Sequence, residues 1–181
     1  MKKLLPALLL LLGTTIACEQ QPTATTEATA PATIETDTTT TQNQEAEAVR
    51  VMHAMFDAFN RHDLDAMQAL YADDALFVSP EMPEPVVGAQ HVKTIYGPLF
   101  EMAPDVKDEV IHYIHNGDEV AVEFISTGTV ENISPDDPIE MKGRKFELRI
   151  FARLKVKDGK IVEDVSYFDQ MAFLQQLGLT E

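Results

Sequence analysis

Lys145–Lys157 reads KFELRIFARLKVK, and after Asp158-Gly159 the chain continues KIVEDVSYFD from Lys160 to Asp169. Both runs alternate between apolar and polar residues, the period of a strand, and the Asp-Gly between them favours a tight two-residue hairpin turn. That turn sets Lys157 opposite Lys160. Counting back then pairs Val156 with Ile161, Leu154 with Glu163, Ala152 with Val165, Ile150 with Tyr167 and Leu148 with Asp169. One face is thus nearly all apolar, with Glu163 near the turn, where it reaches solvent, and Asp169 deep in the register. The reverse face pairs Arg153 with Asp164 and displays Lys145, Arg149 and Lys155, a solvated and charge-paired outer surface.

A carboxylate on an apolar inner face has its charged form disfavoured by desolvation, so its pKa rises toward the range of a general base. Asp169 is on this ground the candidate catalytic residue. It also immediately precedes a short apolar run from Gln170 to Leu177 that reads as a helix ending at Gly178, and Asp suits the N-cap of such a helix. The two roles stay open and are not exclusive.

Upstream, Val106 to His115 and Glu119 to Val130 form a second hairpin around Asn116-Gly117. A two-residue turn there pairs Ile111 with Val122 and a three-residue loop pairs His112 with it, and the pattern does not choose. Before Pro104 the period is helical. Val49, Met52, Phe56 and Phe59 mark a helix from about Ala46 to Arg61, and Asp63 caps a short one carrying Leu64, Met67 and Leu70. Ala75 to Ser79 is a short strand. Gly88 opens a third helical stretch with Val92, Ile95, Leu99 and Phe100, which Pro98 breaks or bends. Helices first and a long antiparallel sheet afterwards make an α+β domain with helices covering one face of the sheet.

The N-terminal part has a different character. Met1-Lys2-Lys3 and an uncharged apolar run from Leu4 to Ile16 have the layout of a secretory signal peptide, too short for a membrane span and interrupted by Pro6 and Gly13. Thr15-Ile16-Ala17-Cys18 resembles the bacterial lipobox, which implies acylation of Cys18, the lone cysteine of the sequence, and a lipid anchor in the cell envelope. Glu19 after it differs from the Asp that often signals inner-membrane retention, so an outer-membrane location facing the periplasm is expected. Residues 19–45 are mostly Thr, Ala, Pro, Gln and Glu without an aromatic residue, the composition of a disordered tether spanning roughly 30 Å. The expected organisation is a leader over 1–18, this tether over 19–45 and one domain over 46–181. The formal charge is −16, two units more negative once Lys2 and Lys3 leave with the leader. Such a field makes nucleic acid a poor partner.

Several runs occur in a recognisable order: Asn116-Gly117-Asp118-Glu119, Thr127-Gly128-Thr129, Lys142-Gly143-Arg144-Lys145-Phe146, Asp158-Gly159-Lys160-Ile161, Tyr167-Phe168-Asp169-Gln170 and Gln176-Leu177-Gly178. Together they resemble the SnoaL-like polyketide cyclase family of the NTF2-like superfamily, over nearly the whole domain from Ala46. The resemblance implies a cone-shaped α+β barrel, a curved sheet wrapped on helices around an apolar pocket, and a homodimer. In the cyclases a pocket Asp removes a proton from carbon next to a carbonyl, and Asp169 matches that position. The sequence departs from the cyclases at Val130, Val165 and Ser79, where they often carry His, Trp and His.

The candidate pocket walls are Tyr71, Phe77, Tyr96, Phe124 and Tyr167, with Leu148 and Ile150 from the inner face; aromatic residues at such spacings equally fill a plain core. His112 and His115 lie three apart on a strand, point to opposite faces and cannot clasp one ion. His62, Asp63 and Asp65 are better explained by capping than by metal. The function expected is binding of a small, largely apolar ligand at the envelope through the Cys18 anchor, without metal or cofactor. Its catalytic form is Asp169-dependent proton transfer of the cyclase or isomerase kind. The alternative is a non-catalytic protein-interaction module. An epoxide hydrolase is weakened by the lack of an inward Arg on the second hairpin.

Overall fold

The computed structural model describes residues 38–134 and 138–180, with side chains from Glu47 onward. The leader, Cys18 and most of the expected tether lie outside the described residues. The first helix, α1, spans Thr38–Asn60, so it begins eight residues before Ala46, inside the segment expected as tether. Once a packed helix is nucleated, each further turn adds hydrogen bonds without a new nucleation cost. Its inner stripe buries Val51, Met52, Met55 and Phe59, with Val49 and Phe56 half-buried beside them.

Helix α2, Leu64–Ala69, is capped as expected: the Asp63 carboxylate accepts the Ala66 N–H at 2.9 Å. Strand β1 is Tyr71–Val78, β2 is Val86–Val87, and α3 is Val92–Met102, which contains Pro98 without ending at it. Strands β3, Lys107–Asn116, β4, Glu119–Thr129, β5, Lys145–Lys157, and β6, Lys160–Phe168, form the two hairpins. Helix α4, Gln170–Gln176, closes the domain, and Gly178 follows it at φ 77°, the left-handed position expected of it. The six strands lie in the order β2-β1-β6-β5-β4-β3, with β1 parallel to β6 and every other pair antiparallel. The α+β architecture is as expected, and α1 packs on the inner face of β3, β4 and β5.

Both hairpins depart from strict alternation, and this decides the site. In the second, Lys157 pairs with Lys160 and Val156 with Ile161 as expected, over Asp158 and Gly159 at φ 51° and 73°. The register then slips. Val162 is an extra residue, a β-bulge, after which Lys155 pairs with Glu163, Leu154 with Asp164, Ala152 with Ser166, Phe151 with Tyr167 and Ile150 with Phe168. A slip of one residue exchanges the two faces of a strand. Asp164, Ser166 and Phe168 therefore take the inner positions assigned by simple alternation to Glu163, Val165 and Tyr167. The expected Arg153–Asp164 pair is absent, and Arg153 bonds instead to Glu119 at 2.8 Å and Glu163 at 2.7 Å.

The first hairpin takes neither register considered from the sequence. Its turn is Gly117-Asp118, which closes on an Asn116–Glu119 pair and sets Tyr113 opposite Val122. Ile111 is then an unpaired bulge residue, after which Val110 pairs with Phe124 and Asp108 with Ser126. His112 lies opposite Glu123 and is exposed.

Candidate functional site

Each bulge carries one aspartate to the inner side of the sheet. Asp164 follows the bulge of β6 and is only 8% exposed. One of its oxygens, Oδ2, accepts hydrogen bonds from two phenols: Tyr71, the first residue of β1, at 2.6 Å, and Tyr96 of α3 at 3.2 Å. Tyr71 is fully walled in, with its oxygen 3.6 Å from the Met55 sulfur. Burial raises the Asp164 pKa, against the opposing pull of the two phenolic bonds. The tyrosines are pushed well above their ordinary value, first by burial and next by the Asp164 charge. The cluster thus favours fewer negative charges than its groups would carry in water.

Asp108 precedes the bulge of β3 in the chain and lies beyond it when counted from the hairpin turn. Asn60, the last residue of α1, holds its backbone in both directions: the Asn60 amide donates to the Asp108 carbonyl at 2.8 Å and accepts the Asp108 N–H at 2.8 Å. The Asp108 side chain hydrogen-bonds with buried Ser126. Its Oδ1 is buried without a hydrogen-bond partner among the described residues. Burial pushes the carboxyl up to about 7, with the Ser126 bond pulling the other way. Tyr96 feels this charge too, since Asp108 adds to the rise of its pKa. The phenol of Tyr96 therefore stands within the field of both aspartates.

Both aspartates line a cavity of about 410 Å³, a size suited to a small organic molecule. Its walls are mainly aromatic and aliphatic. Phe56 and Phe124 meet edge to face at 4.9 Å, as do Phe59 and Tyr96 at 6.0 Å. Phe173 of α4, also in the lining, packs edge-on to Phe146 and Phe168. Glu81, in the turn after β1, and Pro98 of α3 line the cavity while being exposed, which places both at its mouth.

Of the residues singled out in the sequence, Phe77, Tyr96, Phe124, Leu148 and Ile150 line this cavity. Tyr71 stands behind the lining and reaches it through Asp164. Tyr167 is a correction: the Val162 bulge turns it to the outer face, where it is 60% exposed. Asp169 is a second one. It lies past the end of β6, exposed and outside the cavity lining, and its carboxylate accepts the Ala172 N–H at 2.9 Å. Of its two open roles the structure gives it the helix cap. Cys18 lies outside the described residues. His62 stacks on Phe100 at 4.3 Å and bonds the Val106 carbonyl at 2.9 Å, Asp63 caps α2, and Asp65 pairs with Lys93 at 2.6 Å. Among the described residues no three His, Cys, Asp or Glu side chains gather to hold a metal, and no helix is long and apolar enough to cross a membrane.

Reading from the sequence missed Asp164, Asp108, Ser126 and Asn60. A signal for the aspartates existed: each bulge falls in an apolar doublet, Val110-Ile111 and Ile161-Val162, where alternation visibly breaks. No comparable signal marks Asn60, which meets Asp108 only because α1 crosses β3.

The SnoaL-like domain model matches residues 52–164. Comparison with curated proteins gives no significant match. IdmH from Streptomyces antibioticus, a proposed polyketide cyclase, is similar at 27% identity and a TM-score of 0.63, over 72% of this chain and 98% of its own. AclR from Streptomyces galilaeus, a proposed hydroxylase, is 25% identical with a TM-score of 0.63, over 76% and 88%. An LEH-like epoxide hydrolase from M. tuberculosis shares the fold at 18% identity and a TM-score of 0.59, over 74% and 91%. Three different chemistries on one scaffold mean that the reaction has to be argued from the site.

Proposed function

The chain belongs to the SnoaL-like domain family, and from that premise we propose that its cavity takes a small, largely apolar carbonyl compound and moves a proton on it without a cofactor. The observation behind this reading is a pair of aspartates of unlike surroundings in one apolar cavity. Asp108, with a pKa of about 7, is poised as a general base near neutral pH, where proton acceptance and availability are balanced. It takes the proton from the carbon next to the carbonyl, and the electron pair moves onto the carbonyl oxygen. Tyr96 donates to that oxygen. Burial favours the neutral form of Asp164 behind Tyr96, and a neutral carboxyl holds the phenol less tightly than a charged one, which helps free the hydroxyl for the substrate. Two carboxyl groups in unlike environments are how one site runs acid and base steps at one pH. The enolate is then reprotonated elsewhere, an isomerisation, or attacks a second carbonyl of the same molecule, a cyclisation.

The test is solvent-deuterium uptake at the carbon next to the carbonyl, followed by NMR across a panel of apolar ketones and β-keto esters. A compound that exchanges with the wild type loses the exchange by about a hundredfold or more in Asp108→Asn. Compounds that bind without any uptake would leave a binding site and remove the catalysis.

The proposed setting is the cell envelope, with Cys18 acylated after cleavage of the leader and the domain held at the outer membrane as a homodimer. Metabolic labelling with an alkyne fatty acid tests this, since Cys18→Ala should lose the label. A protein-interaction role is a second reading with its own observation: Ile114, Phe151 and Tyr167 are 60%, 52% and 60% exposed on the outer face of the sheet. Light scattering on Phe151→Ser checks whether an association of the mature chain depends on that face.

A further inference from the structure

Among the described residues, the acids lining the cavity have no cationic counterpart in the lining. The ionisable side chains among the described lining residues are Glu81, Asp108, Asp164 and Tyr96, and no Lys, Arg or His joins them. Ser126 engages Asp108, and Tyr71 and Tyr96 engage Asp164. Proton transfer engages both aspartates and leaves Glu81 without a part in it. Its backbone N–H is tied to the Ser79 hydroxyl at 3.4 Å, which fixes the turn at the mouth. No cation among the described residues pairs with its carboxylate. The pKa of Glu81 is raised by desolvation alone, although the residue as a whole is exposed.

We propose that the natural ligand carries a protonated amine at its mouth-facing end, and that Glu81 is the residue that selects it. The proposal rests on the reading that the cavity binds a small ligand, and adds the class of molecule. A carboxylate or phosphate ester entering this mouth meets like charge and finds no counter-charge, in surroundings where screening is weaker than in water. A neutral hydrocarbon covers Glu81 and leaves it desolvated and unpaired. An alkylammonium group brings the missing charge and donors, and the rings of Phe56, Phe59 and Phe124 further in are favourable neighbours for the polarised carbons next to the nitrogen.

Three naphthalene probes of one shape separate the possibilities: 1-naphthylmethylamine, 1-naphthylmethanol and 1-naphthoate, titrated calorimetrically into the mature chain at neutral pH and physiological ionic strength. The amine should bind about tenfold tighter than the alcohol or better, and the carboxylate should not bind. Glu81→Gln should bring the amine down to the level of the alcohol without weakening the alcohol. Glu84→Gln removes an exposed charge of the same loop that does not line the cavity; it should leave the preference intact, which separates Glu81 from the general acidic field. Equal binding of amine and alcohol by the wild type, or a preference that survives Glu81→Gln, overturns the amine assignment while the cavity remains a binding site. Failure of all three probes to bind overturns the binding reading and the assignment together.

Discussion

Replacing Asp108 by Asn removes a charge that the fold holds at a loss, and the size of that loss can be worked from the site. Burial lifts the carboxyl from 3.8 to about 7, a preference for the protonated form of about 4 kcal/mol at roughly 1.4 kcal/mol per unit. The residue as a whole is half-buried, and solvent screening brings a realistic figure to about 2 kcal/mol. The native-state value lies above the unfolded one. Between about pH 4 and about pH 7 the native chain therefore holds a proton that the unfolded chain has released, and stability falls as pH rises across this window. Above it the full penalty stands. Asp108→Asn should be more stable than the wild type by about 2 kcal/mol at about pH 8 and no more stable at about pH 4. Asp164 and Glu81 are shifted in the same direction, so the variant's pH slope is reduced by about one proton and not abolished. Urea unfolding of the mature chain at a series of pH values measures this directly. A variant no more stable than the wild type at high pH, with an unchanged slope, would refute the burial of that charge and with it the case for Asp108 as base.

The remaining predictions concern the surroundings. Tyr71→Phe removes the short bond to Asp164 and should cost about 1–3 kcal/mol in thermal unfolding, while carboxyl NMR shows the Asp164 pKa rising further as one lowering influence is lost. Asp169→Ala removes the cap of α4 and should cost about 1 kcal/mol, with deuterium uptake by any substrate unchanged; loss of uptake at full stability would return Asp169 to the catalytic role. At Gly128 a Cβ would meet the Phe146 ring at 2.6 Å with Ala103 at 3.2 Å beside it. Gly128→Ala should therefore push that ring toward the cavity, costing about 1–3 kcal/mol and weakening every naphthalene probe alike in calorimetry.

The helix caps, the hairpin turn at Asp158-Gly159 and the order of the elements were legible because each depends on residues close together in the chain. Asp63 meets Ala66 and Asp169 meets Ala172 within one turn, so nothing distant decides them. The inner face of β5 was also readable: Leu148, Ile150, Ala152 and Leu154 alternate without a break and all line the cavity. Val106 to Val110 and Ile161 to Asp169 were not readable in the same way. A strand's two faces are told apart only by counting from a fixed point, and one extra residue inverts every later assignment.

The amino-acid sequence by itself settled that this chain builds an α+β domain with an apolar inner face and an acidic exterior, since composition and periodicity state those things directly. Which carboxylates stand inside was decided by the tertiary structure. Val162 and Ile111 bulge out of their ladders, and the slip carries Asp164 between two tyrosines that arrive from β1 and α3, and Asp108 onto an asparagine from α1. The balance between a regular ladder and a bulged one lies in packing against those distant elements, and no local stretch of sequence contains it.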